Sequence, residues 1–580
     1  MHPVHNSSTQ STKRSGAASK AGAIAFCALL GACASVRPNA PGAQPFTRSV
    51  VAPVAADRDL LLKTLAAQFA LQNNDLKAGA RGFTEAAELG ADPMLAEEAT
   101  RLALSVKNWA LARRGLARWQ ELAPRDPGVT QARAWLALGE KRGDEAYADL
   151  DALATRGDDE AWRLIAQALL GSDDKGTAAR LLERLASAQR LHGKETNAVA
   201  MSQLAFKLGD KALAQRLADA AVARFHGEEA YAWRARLALD RGDKTAARAT
   251  YAEALRHAPS SLRLRGGYAA LLADSGDNAA AARELSVGPQ NDTTYAARAA
   301  YAARAKDNAA LNALYREVNA DNSGRTGKRL YLLGQIAEMT DRREAALDWY
   351  REISDADEHW FDAQLREAVV LDQLGRTDAA VDFLHQIEAQ TAEDGEQLGN
   401  AYLLEADLLA RRQRPGDALG VYTRALGTLR DDPRLLYARA LLAVDQGDLA
   451  AGERDLRRVI ELKPDNAEAL NALGYTLADH GERKQEALDL IQRALKLKPD
   501  EPAIIDSMGW VRYRMGDLDA SLEDLRRAYA KQPDPDIAAH LGEVLWVKGA
   551  HDEARRIWDE GRKKDASNKA LLETIKRLAR

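Results

Sequence analysis

Between residues 433 and 561, apolar and small residues recur in a pattern that fits short helices rather than strands. In 502–532, Ile505, Met508 and Gly509 mark one side of a first helical stretch, which stops at Gly516. Ser521, Leu525 and Ala528 then mark one side of a second stretch that ends before Pro533. Spacings of three and four are those of an α-helix. Glycine closes a helix in the left-handed region without strain, and proline cannot continue one. The preceding stretch repeats the order with Leu470, Leu473, Gly474, Gly481, Ala487, Ile491, Ala494 and Pro499, and carries one extra residue in its turn. Gly447, Gly481, Gly516 and Gly549 recur at spacings of 34, 35 and 33, and Pro464, Pro499 and Pro533 at 35 and 34. A period near 34 with two helices per unit predicts a stack of antiparallel helical hairpins, each touching only its neighbours.

These positions resemble the tetratricopeptide family pattern of large residue, Leu, Gly, large residue, turn Gly, Ala, aromatic, Ala and Pro. The match is strongest over 433–561, and 228–261 follows it equally well with Tyr231, Gly242, Ala247, Tyr251, Ala254 and Pro259. Partial matches are marked by Leu333, Gly334, Ala346 and Tyr350, by Gly375, Ala380 and Leu384, by Ala418, Tyr422 and Ala425, and by Asn108, Ala112, Leu116 and Pro124. The resemblance implies an all-α fold, a right-handed superhelical α-solenoid of about 11–14 tetratricopeptide repeats. The expected order is partly degenerate repeats over 57–285, an irregular segment over 286–328, further repeats over 329–567 and a capping helix over 568–580. The irregular segment, with its Asn/Asp/Ser/Gly-rich piece at 318–324, leaves open a degenerate repeat, a bend or a boundary.

The N-terminus follows another logic. Lys13, Arg14 and Lys20 precede an uncharged apolar stretch, Ala21 to Ala32, whose 12 residues are too few for a membrane span of roughly 20. Residues 1–32 therefore read as a signal peptide. Leu30-Gly31-Ala32-Cys33 resembles a bacterial lipobox, which implies cleavage before Cys33 and a lipid on that cysteine. Ala34, rather than Asp, favours the outer membrane by analogy with lipoprotein sorting, with the body facing the periplasm. The only other cysteine is Cys27, inside the signal, so a mature chain has no disulfide. Residues 33–56 then form a Pro-rich tether with Pro38, Pro41, Pro45 and Pro53. It reaches at most about 80 Å when stretched and averages roughly 25–30 Å as a coil.

Composition narrows the function classes. The 580 residues carry a formal net charge of −4, with 81 Lys and Arg against 85 Asp and Glu interspersed at helical spacing. That describes a solvated helix surface and gives no basic stripe for nucleic acid. Motifs for zinc hydrolysis, paired-cysteine chemistry and the nucleophile elbow are missing from the sequence. In Gly171–Thr177 the lysine precedes the second glycine, so the segment reads as an inter-helix turn, not a phosphate loop. Asp355, Asp357, Glu358 and His359 lack the glycine and terminal glutamate of a calcium loop and read as helix-start charges. No enzyme activity, metal site or cofactor is expected.

The family pattern places the ninth and twelfth positions of each first helix on the groove-lining side. Counting from Gly474, Gly509 and Gly542, those positions hold Tyr475, Trp510, Tyr513 and Trp546, a candidate partner-binding groove. The alternative is that these rings only pack between helices. The positions that clamp a terminal carboxylate in chaperone-binding repeats hold Asn471, Tyr475, Ser507, Asp536 and His540 here, a poor fit to that clamp. The runs Asn471–Asp479, Asp506–Val511 and His540–Trp546, with the lipobox, resemble a proteobacterial outer-membrane lipoprotein family of repeat proteins. That resemblance implies an adaptor that binds and activates a periplasmic carboxyl-terminal processing serine protease and presents cell-wall hydrolases to it. A structural scaffold for exopolysaccharide export, pilus or outer-membrane complex assembly is the alternative.

Overall fold

A computed structural model describes residues 55–186, 194–321, 324–481 and 483–579. Cys33, the signal peptide and nearly all of the tether lie outside them. The described residues contain 31 α-helices and no strand, in agreement with the expected all-α repeat fold. They fall into two compact units, one up to residue 192 together with 207–210, the other 193–206 with 211–580. In the first, eight helices from Leu60–Gln72 to Lys175–Leu185 pack each on the next. In the second, the same succession runs from Lys211–Phe225 to the last helix, Lys569–Leu578.

Seven helices at the C-terminal end carry the candidate site: α1 (Ala467–His480), α2 (Lys484–Leu497), α3 (Pro502–Met515), α4 (Leu518–Lys531), α5 (Pro535–Val547), α6 (His551–Lys564) and α7 (Lys569–Leu578). Each pair α1/α2, α3/α4 and α5/α6 is one hairpin. The first helices α1, α3 and α5 also pack side by side, and α7 takes the next place against α5.

The turn inside a hairpin explains the glycine ladder. Gly516 sits at φ 92°, in the left-handed region, and Asp517 after it accepts a hydrogen bond from the Ala520 amide to cap α4. Gly447 and Asp448 do the same for Leu449–Leu462. Gly481 departs from the ladder: its φ of −132° is extended backbone, because the longer turn there reverses the chain by another route. Between the helices of a hairpin the approach is close. A Cβ on Gly509 would lie 2.6 Å from Leu525 Cγ, so α3 can meet α4 only through a residue with no side chain. Leu525, Ala528, Ile505 and Met508 are buried around that contact.

The segment over 286–328 is helical rather than irregular for most of its length. Asp292–Arg304 and Asn308–Ala320 form a hairpin, opened by a capping box between Asn291 and Thr294. Its surface pattern is obscured because arginines enter the interior. Arg298 pairs with Glu317, and Arg329, 4% exposed, pairs with Asp292 and Asp321. The final helix α7 buries Leu571 and leaves Lys569, Leu572, Glu573 and Lys576 exposed.

Candidate functional site

The first helices of three successive hairpins bring their polar and aromatic residues together around His540. The imidazole stacks on Trp510 at 4.2 Å between ring centroids and 25° between planes. Its Nδ1 lies 2.9 Å from Asp506 Oδ2, and its Nε2 lies 3.2 Å from the Tyr475 hydroxyl. Tyr475, Asp506 and His540 come from α1, α3 and α5, 65 residues apart at the extremes, and meet because each repeat presents the same face.

Two further branches extend the cluster. The Trp510 indole N–H donates to Asp479 Oδ1 at 3.1 Å, and Arg514 donates to the same oxygen. Tyr513, 5.1 Å from Trp510 between centroids, donates its hydroxyl to Glu543 Oε1, which Arg577 of α7 also engages at 3.0 Å. Glu543 is 3% exposed, so Arg577 neutralises a carboxylate that water barely reaches.

The electrostatics follow from this packing. Burial works against an imidazolium at His540, but Asp506 beside it, aided by Asp479 and Glu543, outweighs burial and holds the group above its ordinary value. As an imidazolium it donates from both nitrogens, to Asp506 and to Tyr475. Burial, reinforced by Asp479 and Asp506, pushes the Tyr475 phenol far up. Burial and then Glu543 push Tyr513 up to about 12. Asn471 and Asp506, at equivalent positions of adjacent repeats, each keep a buried Oδ1 with no hydrogen-bond partner among the described residues.

The four groove candidates therefore do not form one exposed strip. Tyr475, Trp510 and Tyr513 join the His540 cluster, and Trp510 is only 5% exposed because α1 and α5 close over its ring. Trp546 points into its own hairpin, stacked on Trp558 at 5.4 Å, edge-on to His551 and under the Arg555 guanidinium. In the sequence His540 stood out as a departure from the carboxylate clamp, and Asp506 only as the first residue of the run Asp506–Val511. The signal that finds them is the repeat itself, which places Asn471, Asp506 and His540 at intervals of 35 and 34.

Elsewhere the polar clusters are local. His359 Nδ1 lies 3.1 Å from Asp357 Oδ1, which also accepts the His359 amide at the start of Trp360–Gln373. Asp174 caps Lys175–Leu185, and Lys175 donates to the Leu170 carbonyl, as an inter-helix turn requires. One group escaped the sequence because its members come from facing helices: ligand atoms of His385, Glu388 and Glu405 lie within 4.8 Å of one another. These three could hold a divalent cation, but Arg424 already bridges both carboxylates. Burial and then Glu405 push Glu388 up to about 8, so a proton handles the second charge.

Residues 234–287, 437–502 and 507–568 match the tetratricopeptide repeat family. Proteins of this class are in general protein-binding scaffolds rather than enzymes. The chain is similar to the TPR repeat-containing protein PA4667 of Pseudomonas aeruginosa, with 39% identity over 211 residues, which is 36% of this chain and 35% of that protein. Among solved structures, MamA from Desulfovibrio magneticus is 19% identical, aligned over 30% of this chain and 98% of its own at a TM-score of 0.25. TTC0263, a TPR protein of Thermus thermophilus, is 22% identical over 31% of this chain and 96% of its own at a TM-score of 0.28. The Cut9–Hcn1 assembly of the APC/C is 15% identical over 89% of this chain and 96% of its own, at a TM-score of 0.30.

Proposed function

We propose that this protein is a lipid-anchored, periplasm-facing adaptor of the outer membrane that binds and activates a carboxyl-terminal processing serine protease and presents substrates such as peptidoglycan hydrolases to it. The repeats support an adaptor, the lipobox ending in Cys33 supports the anchor, and the runs 471–479, 506–511 and 540–546 support the choice of protease. The observation that carries the reading is the pair of unfilled acceptors, Asn471 Oδ1 and Asp506 Oδ1, among the rings of Tyr475, Trp510 and His540. A buried acceptor without a donor costs about 1–3 kcal/mol. Donors on a docking partner recover that energy after a small side-chain shift.

The test is reconstitution. The purified chain alone should hydrolyse nothing, and adding it to its cognate protease should accelerate degradation of a cell-wall hydrolase. Asn471→Ala with Asp506→Ala should weaken capture of the protease tenfold or more while helicity by circular dichroism is unchanged. Neither binding nor acceleration in the wild-type reaction would overturn the proposal. Retention of Cys33→Ser in the membrane fraction would overturn the lipid anchor separately.

A further inference from the structure

The large apolar side chains that the described residues leave exposed are unevenly spread. Of 16, eight lie between residues 60 and 94, and five of those stand on one helix, Leu60–Gln72. Leu61 is 69% exposed, Phe69 61%, Leu62 47% and Leu65 44%. The opposite side of the helix carries Ala67 and Leu71 and is closed by Leu76–Leu89, where Gly79 and Gly82 allow close approach. In sequence the helix is Leu-Leu-Leu-Lys-Thr-Leu-Ala-Ala-Gln-Phe-Ala-Leu-Gln, apolar nearly all round. Such a helix belongs between two neighbours. Among the described residues it has one neighbouring α-helix, Leu76–Leu89, and it is the first α-helix of those residues.

The two ends of the repeat array are thus unlike. The last helix turns out lysines, a glutamate and one leucine, Leu572, whereas the first turns out four leucines and a phenylalanine. In sequence, residues 34–56 carry four prolines and no helical apolar spacing, a pattern that does not predict a capping helix there.

We infer that this face is covered by the same face of a second copy of the chain, in a two-fold dimer built on Leu60–Gln72. Charge argues for self-association. A surface that meets its own copy must not bring like charges together. The only charged residue of this helix, Lys63, is already paired with Glu85 of its own chain. A lipid surface fits less well, because an interfacial helix needs a strongly polar opposite face. The exposed fractions on the helix amount to between two and three whole large side chains, on the order of 500 Å² per copy. A total near 1,000 Å² is the lower bound of a specific interface. An interface at that lower bound is expected to dissociate on dilution. The inference does not depend on which partner the repeats bind.

The test uses residues 34–580, which keep every described residue and contain no cysteine. Sedimentation velocity between about 1 and 200 μM should show a monomer–dimer equilibrium, and Leu61→Glu with Phe69→Glu should shift its midpoint at least tenfold upward. Leu65→Cys, at the middle of the helix, should give a disulfide-linked dimer under mild oxidation, and Met339→Cys, exposed elsewhere, should not. A monomer at every concentration with no Leu65→Cys crosslink overturns the inference. Dimerisation that appears only after deletion of residues 34–54 would show that the chain covers its own face and overturns it too. Binding of the monomer to phosphatidylethanolamine/phosphatidylglycerol vesicles that is lost in the Glu variant does the same in favour of lipid.

Discussion

Truncating Trp510 to Ala removes a ring that is 5% exposed, stacked on His540 at 4.2 Å and bonded through its indole N–H to Asp479. Deletion of a buried tryptophan side chain costs about 3–5 kcal/mol through lost transfer energy and the cavity left behind. Asp479 keeps Arg514 at 3.1 Å, so its charge stays compensated and adds little to the loss. In a repeat stack the damage falls on the hairpin and its immediate neighbours. A loss of about 3–5 kcal/mol raises local opening by roughly 10²-fold to several thousand-fold. Hydrogen exchange with mass spectrometry should then show that acceleration in α3 and α5, with Leu60–Gln72 unchanged. Trp510→Phe keeps one aromatic ring against His540 but loses the donor and part of the buried indole volume, at about 1–3 kcal/mol, less than the alanine variant. A Trp510→Ala protein within 1 kcal/mol of wild type, with exchange in α3 and α5 unaltered, would refute the placement of this ring in the packing between repeats.

Other predictions concern single positions. His540 is held above its ordinary value, so its contribution is complete below an unfolded value of about 6.5 and is lost as pH rises through the folded one. The urea midpoint of the C-terminal repeats should fall from pH 6 to pH 9, and His540→Asn should flatten that slope. Glu388, pushed up to about 8 from 4.5, holds its proton more tightly folded than unfolded, and stability declines across that window as pH rises. Glu388→Gln should therefore gain on wild type at pH 8 relative to pH 5 in the same urea titration. Gly516→Ala forces a side chain to φ 92° and should cost about 1–2 kcal/mol by denaturant unfolding, whereas Gly420→Ala, on an open helix face, should gain about 0.5–1 kcal/mol.

A turn glycine made several repeats legible, although the unit at Gly375 still matches only in part, and the pattern fades where the turn residue is not glycine. Gly242, Gly447, Gly516 and Gly549 take the left-handed conformation, and their units stand out in the pattern. The same conformation is held by Lys107, Asp341 and Gln413 at the turns of units that match only in part. The backbone geometry is the same, but the residue that advertises it is absent, and the capping Asn108 does its work with lysine before it. The site was half legible for a related reason. Counting from Gly474 and Gly509 located Tyr475, Trp510 and Tyr513. Nothing in one repeat says that His540 and Asp506 would fill the space between them, because those contacts run over 34 and 65 residues. Trp546 shares the register of Tyr513, yet Trp558 draws it back into its own hairpin. A single-repeat template has no place for that choice.

The bond between Arg577 and Glu543 makes the far end of the chain a fastener. Trimming the last dozen residues would leave Glu543, 3% exposed, without its cation, while Tyr513 still donates to it from α3. An isolated carboxylate in such a place must either draw in water or take up a proton, and both loosen α5 against α3. A clip at the tail would therefore be felt two helices inward, beside Trp510, without any cut in the repeats themselves. An exopeptidase acting on the tail would loosen this face before it digested the repeats, and a bulky C-terminal affinity tag would press on the same fastener.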